Sequence, residues 1–234
     1  MVLRSDNDLA VTSHPTMLHA SRNARGRDFV VGDIHGEFDK LEAALTDIDF
    51  DPATDRLFSV GDLIDRGPAS ARALEWLEQP YFYAVRGNHE TLALEAVDDP
   101  DALANWVMVN GGQWWLELSR DEQARFVQAF TQMPFAIEVE SDDGLVGIVH
   151  ADVPAGYSWT EFTTALGEDA EVRHIAVWSR ERALGSVRGP VSGVDWVYCG
   201  HTPHDRVRLV DNVLFLDTGA CFGGYLSVLP IPPT

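Results

Sequence analysis

Five short apolar runs in this chain each lead into a side chain that can hold a cation. "FVV" (29–31) precedes Asp33 and His35, "RLFSV" (56–60) precedes Asp62, and "YFYAV" (81–85) precedes Asn88. "LVGIV" (145–149) and "WVYC" (196–199) precede His150 and His201. Runs this short, bounded by glycine and polar residues, read as buried strands. Helical spacing follows the first of them, with Phe38, Leu41, Leu45 and Ile48 on one face. Strands alternating with helices predict an α/β fold, its strands buried between helical layers. Ligands of open α/β sheets bind beyond the carboxyl ends of strands. Five such endings therefore point to one shared site.

The rest of the chain fits this frame. Pro68 suits the first turn of a helix carrying Leu74 and Leu77. Residues 91–133 read mainly as helix, with a capping-box pattern at Ser119 and Glu122. "FAIEVES" and "LVGIVHAD" flank "DDG" and predict a β-hairpin. Helical segments are expected over 160–184, and the close is strand-rich. Residues 1–26 show no clean period and are expected to form a loose tail. A single domain is expected over 27–234, because 234 residues at 45% hydrophobic content suffice for one core.

Composition narrows the partners. The net charge is −20, and Lys40 is the single lysine among 17 Lys and Arg. So acidic a body repels nucleic acid and acidic membranes. It also repels phosphorylated substrates unless metal ions or clustered arginines concentrate positive charge locally. No apolar run is long enough to span a membrane, and "MVLRSDNDLAVTSHP" lacks the apolar core of a secretory signal. Cys199 and Cys221 make no disulfide framework. A cytoplasmic protein with two buried thiols is expected.

Taken singly, the strand-end residues say little. A surface Asp beside a satisfied His is the ordinary meaning of Asp33-x-His35, and a helix cap is that of Asp65. Together they offer two Asp, one Asn and three His. Mixed oxygen and nitrogen donors without cysteine suit manganese, iron or zinc in an open site. Six donors are many for one ion, and Asp62, with two carboxylate oxygens, is a candidate bridge. Two divalent ions are therefore expected, Mn²⁺ first, with Fe and Zn as alternatives; such pairs clamp phosphoryl oxygens. His89 should point away from its neighbour Asn88, toward substrate.

"GDIHG", "GDLIDRGP", "GNHE", "VHAD" and "GHTP", in this order, resemble the phosphoprotein phosphatase family of metallophosphoesterases, in its bacterial and bacteriophage-lambda form. "NGGQWW", "WSRER" and "DTGACFGG" are similar to segments of the same group, and the resemblance spans roughly 28–229. It implies a four-layer α/β/β/α sandwich. It implies Asp33, His35 and Asp62 on one metal and Asp62, Asn88, His150 and His201 on the other. It makes His89 a general acid oriented by Asp65, with Arg66 and Arg180 binding phosphate; Arg182, two positions on, competes for the second role. Glu90 reads as a brace for neighbouring groups.

The implied activity is hydrolysis of phosphoserine or phosphothreonine in proteins or peptides, with dual specificity open, by a hydroxide that two metals activate. The main rival is a symmetrical dinucleoside tetraphosphate hydrolase. Members of that group usually lack an acid at the Asp65 position and carry "GNHD". Asp65 and Glu90 favour the protein phosphatase. An inactive phosphate-binding module would have lost a ligand or His89, and this chain keeps all of them.

Overall fold

The computed structural model describes residues 9–10 and 16–233. Its strands are β1 (Leu9–Ala10), β2 (Met17–Ala20), β3 (Asp28–Val31), β4 (Arg56–Ser59), β5 (Phe82–Ala84), β6 (Ala136–Ser141), β7 (Gly144–Val149), β8 (Trp196–Cys199), β9 (Arg208–Val210), β10 (Val213–Phe215) and β11 (Val228–Ile231). Its α-helices are α1 (Phe38–Asp47), α2 (Ala73–Leu77), α3 (Asn88–Glu95), α4 (Pro100–Asn105), α5 (Arg120–Thr131), α6 (Trp159–Ala165), α7 (Ala170–Trp178) and α8 (Glu181–Leu184). One sheet runs β1-β2-β6-β7-β8-β10-β9 and the other β11-β3-β4-β5.

Alternation along the strands decides what each sheet face meets. In β3, Phe29 and Val31 pack with Phe38, Leu41 and Leu45 of α1, while Val30 turns to the other sheet. There it joins Phe58, Ile137, Ile148 and Tyr198 in a core between the two sheets. On the far side of the larger sheet, Val149, Val197 and Val213 pack beneath Trp159, Phe162 and Val172 of α6 and α7. The layers are therefore helix, sheet, sheet, helix, the four-layer sandwich expected.

Strands β3, β4 and β5 are mutually parallel. So are β7, β8 and β10. Two parallel triplets thus bring six carboxyl ends toward one edge. The His150 ring after β7 donates to the Val60 carbonyl after β4 (2.8 Å), which ties the two sets together. At the opposite edge, buried Arg56 holds Asp28 through two hydrogen bonds of 2.8 and 2.7 Å, fixing the starts of β4 and β3.

The capping box at Ser119 and Glu122 opens α5, and the hairpin is β6–β7. The helix expected from Pro68 starts late: a 3-10 turn at Ser70–Arg72 precedes α2, because Asp65 and Arg66 occupy left-handed backbone that delays helix entry. The loose tail expected over 1–26 needs a larger correction. Met17–Ala20 is a strand, parallel to β6, with Ala20 fully buried. Its four residues are too few to show a period. The Ser21 carbonyl accepts from Arg56 (2.9 Å), and Asn23 donates to Asp28 (3.1 Å). Residues 1–8 and 11–15 of that expected tail lie outside the described residues.

A chain beginning at Arg25 should lose this strand. The half-buried Met17 and Leu18 and the strand's ladder bonds together contribute about 2–4 kcal/mol. Urea unfolding of full-length and shortened chains measures the loss; coincident midpoints would show that β2 adds nothing.

Candidate metal centre

Three imidazoles at the strand ends share one arrangement. His35 donates from Nδ1 to the Ile64 carbonyl (2.9 Å), and His150 from Nδ1 to the Val60 carbonyl (2.8 Å). His201 donates from Nε2 to the Trp178 carbonyl (3.1 Å). A carbonyl only accepts, so a proton on each outer nitrogen satisfies it and would turn the inner nitrogen's lone pair toward a cation. The inner nitrogens converge. His150 Nε2 and His201 Nδ1 both lie 2.9 Å from Asn88 Oδ1. His150 Nε2 is 3.4 Å from Asp62 Oδ1, and His35 Nε2 is 3.5 Å from Asp62 Oδ2. Asp62 thus faces His35 with one oxygen and His150 with the other.

Electrostatics agree with this arrangement. Burial pushes the pKa of His35 and of His201 down to about 3 and lowers that of His150. Neutral imidazoles are the form that ligates metal. Four buried carboxylates, Asp33, Asp62, Glu90 and Asp217, surround the cluster. Burial and the neighbouring Asp217 and Asp62 hold the Asp33 carboxyl well above its usual range. So many desolvated acids beside inward-facing imidazole nitrogens favour a bound cation. Asp62, His150 and His201 offer ligand atoms within 4.8 Å of one another, as do His35, Asp62 and His89. The donor set therefore fits divalent metal, with Asp62 common to both groups.

His89 differs from the other three. Its outer nitrogen, Nδ1, donates to a carboxylate, Asp65 Oδ2, at 2.6 Å. Its inner Nε2 is buried without a hydrogen-bond partner, 3.8 Å from Asp62 Oδ2. Burial lowers the ring's pKa, but Asp62 and Asp65 more than offset this, and it is raised. One ring of the four is thus held by an acid and favours its proton.

His35 has φ 45° and Gly36 φ 70°, so the chain turns at the imidazole just after Asp33. Both Asp33 oxygens accept from the His201 backbone N–H (3.1 and 3.0 Å), joining the ends of β3 and β8. Arg66 places Nη1 2.6 Å from His35 Nε2, its guanidinium over the Phe222 ring. Arg180 brings Nε to 3.2 Å from His201 Nε2. Arg182, the other arginine weighed for the second phosphate-binding role, is buried and bonds Asp152 (2.8 Å) and the Gly189 carbonyl (2.6 Å), whereas Arg180 is exposed. Glu90 braces the site as expected. It accepts from the backbone N–H groups of Asp62 (3.0 Å), Leu63 (2.8 Å) and Gly87 (2.8 Å). Gly87 is required where it stands, since a Cβ there would lie 2.2 Å from Asp62 Oδ1.

Sequence reasoning assigned no role to Asp217. It follows β10 as the other site residues follow their strands, and that position in "LFLDTG" was the available signal. Its pKa is pushed up to about 6, chiefly by burial and also by Asp62, while Arg66 and Arg180 pull it down.

The calcineurin-like phosphoesterase pattern matches residues 29–205. Serine/threonine-protein phosphatase 1 of Salmonella typhimurium is 41% identical over 87% of this chain and 91% of its own. The symmetrical bis(5'-nucleosyl)-tetraphosphatase of Klebsiella pneumoniae is 27% identical over 86% of this chain and 90% of its own. A crystal structure provisionally named a diadenosine tetraphosphatase superposes with TM-score 0.67 at 23% identity, covering 93% of this chain and 94% of that one.

Glu90→Gln should expose the brace. A glutamine keeps one acceptor oxygen and turns an NH₂ toward a backbone donor. Stability should fall by about 1–3 kcal/mol, and Mn²⁺ affinity by about 10–100-fold. Urea unfolding and calorimetric Mn²⁺ titration measure the two; an unchanged affinity would separate Glu90 from the metal site.

Proposed function

This chain belongs to the calcineurin-like phosphoesterase family, and we propose that it hydrolyses phosphoserine and phosphothreonine esters in proteins or peptides. The observation that carries this reading is the His89–Asp65 pair, 2.6 Å long and fully buried beside the candidate ligands. A serine or threonine alkoxide is a poor leaving group and needs a proton as the P–O bond breaks. A nucleotide polyphosphate carries its own charge and needs one less. The named relatives lean the same way, the protein phosphatase at 41% identity against 27% for the tetraphosphatase.

Asp33, His35 and Asp62 would hold one divalent ion, and Asp62, Asn88, His150 and His201 a second. Bound there, such a pair withdraws charge from the phosphoryl group and supplies a water already deprotonated near neutral pH. We assign the pair to Mn²⁺, since mixed carboxylate, amide and imidazole donors with no thiolate suit it. Arg66 and Arg180 reach into the cleft from exposed positions and would bind the phosphoryl oxygens. As the new P–O bond forms, the bond to the side-chain oxygen breaks and its electron pair leaves with that oxygen. His89 Nε2 gives up its proton to it. Asp65 holds the ring through Nδ1, so the donating nitrogen faces the cleft throughout. His89 stands apart from the ligands on this reading, although its Nε2 approaches Asp62.

The setting we infer is cytoplasmic, with phosphorylated protein as partner and neither nucleic acid nor membrane. The charge of −20 supports this, and no helix of the described residues is long and apolar enough to cross a membrane.

After chelator stripping and Mn²⁺ reloading, kcat/KM for a phosphothreonine peptide should exceed that for diadenosine tetraphosphate. The opposite order, with symmetric cleavage of the dinucleotide, would overturn the substrate reading. His89→Asn should slow phosphoserine hydrolysis by about 10²–10⁴-fold and aryl phosphate hydrolysis far less. Equal losses on both, or loss of bound metal, would contradict the role given to His89.

A further inference from the structure

Asp65 is a carboxylate with no exposed surface, and among the described residues its only ion pair is with His89. Its remaining partners are two indoles. Oδ2 accepts from Trp106 Nε1 at 2.6 Å as well as from His89, and Oδ1 accepts from Trp114 Nε1 at 2.6 Å. The Asp65 backbone N–H donates to Ser70 Oγ (2.8 Å). An indole N–H donates only, and it carries no charge. It can therefore fix a carboxylate without taking up or releasing a proton itself. Three N–H donors in different directions leave the carboxylate plane no freedom, and that plane sets the angle of the imidazole bonded to it.

The segment that brings the indoles is shaped for this contact. Trp106 begins a π-helical turn, Trp106–Asn110, and Trp114 lies in the following 3-10 helix, Gly112–Glu117. Gly111 between them has φ 94°, and a Cβ there would stand 2.7 Å from the Arg66 backbone nitrogen. A Cβ on Gly112 would stand 2.7 Å from the Trp106 ring. The two glycines of "NGGQWW" thus let the turn press on residues 65–66 while Trp106 folds beneath it. Behind the indoles, Trp115 packs at 5.4 Å from Trp106 and 5.7 Å from Trp114, and Phe126 of α5 at 5.0 Å from Trp114. Both indoles have an aromatic wall behind them and a carboxylate in front.

We propose that Trp106 and Trp114 are positioning residues for proton donation, acting through Asp65 to hold the His89 ring toward the leaving oxygen. The inference rests on reading His89 as the proton donor. It links the helical segment after α4, which offers no metal ligand, to the rate of the chemical step.

Trp114→Phe, at a half-buried position, keeps the ring and removes the N–H. In the Mn²⁺-loaded full-length enzyme it should lower kcat on a phosphoserine peptide about tenfold, a part of the ~10²–10⁴-fold that a general acid supplies. KM, metal content and the rate on an aryl phosphate should barely move. In an Asp65→Asn background the same change should cost nothing more, since its route is already cut. Multiplying losses in the double variant, or equal losses on both substrates from Trp114→Phe alone, would overturn the proposal. If Asp65→Asn itself loses equally on both substrates, the donor reading falls and takes this inference with it. Trp106 is fully buried, so a benzothiophene analogue of tryptophan at that position keeps its shape without the N–H; the same leaving-group contrast is expected, and its absence counts against the proposal. In metal-free protein, Asp65→Asn should shift the indole N–H resonances of Trp106 and Trp114 more than those of the other five tryptophans. Unmoved resonances would show that the indoles do not bond Asp65 in solution.

Discussion

Each imidazole at the cleft has one ring nitrogen fixed by the protein and one left facing inward, and what fixes the outer nitrogen decides what the inner one can do. A backbone carbonyl takes the proton's hydrogen bond and adds no charge. His35, His150 and His201 are held that way, by Ile64, Val60 and Trp178. Burial then favours their neutral form, with the inner nitrogens turned to Asp62 and Asn88. A carboxylate behind the ring reverses the balance, and only His89 has one. One residue type thus shows two opposite protonation tendencies within a few ångströms, separated by a partner on the far side of each ring.

Holding that pattern costs backbone strain. Among the described residues, seven non-glycine positions have positive φ, and five of them are His35, Asp62, Asp65, Arg66 and His201. Such positions cost about 1–3 kcal/mol each, so the surroundings must over-determine them. Glu90 does so for Asp62 by gathering three backbone N–H groups from two turns. Asp33 does so for His201, and the Asp62 carbonyl accepts from both Ile34 and His35. The sheets supply the rest: two parallel triplets end at one edge, and the core between them leaves the strand ends little room to shift.

Much of this was legible in the residues. The apolar runs marked the core strands because each is short and bounded by glycine or polar residues, and their endings marked the site because a buried strand has no packing reason to end in Asp, Asn or His. What was not legible depends on partners distant in sequence. Met17–Ala20 has four residues and no visible period; it is a strand because β6 offers it an edge. The left-handed turn at Asp65 and Arg66, which delays α2, has no signature in a non-glycine pair. Arg180 and Arg182 are chemically alike in the sequence; burial against Asp152 and Gly189 sets Arg182 apart in the fold. Nothing local to Trp106, or to Trp114 of "NGGQWW", names their partner: their N–H groups meet Asp65 from 41 and 49 residues away.

The central claim is that Asp62 is shared by two ions while His89 binds neither. Anomalous diffraction from Mn²⁺-soaked crystals at the manganese edge measures this directly. The account predicts two peaks ~3.5–4 Å apart, one Asp62 oxygen bonded to each or one oxygen bonded to both, and His89 Nε2 outside bonding distance of either. A single peak, or one with His89 Nε2 among its ligands, would contradict it.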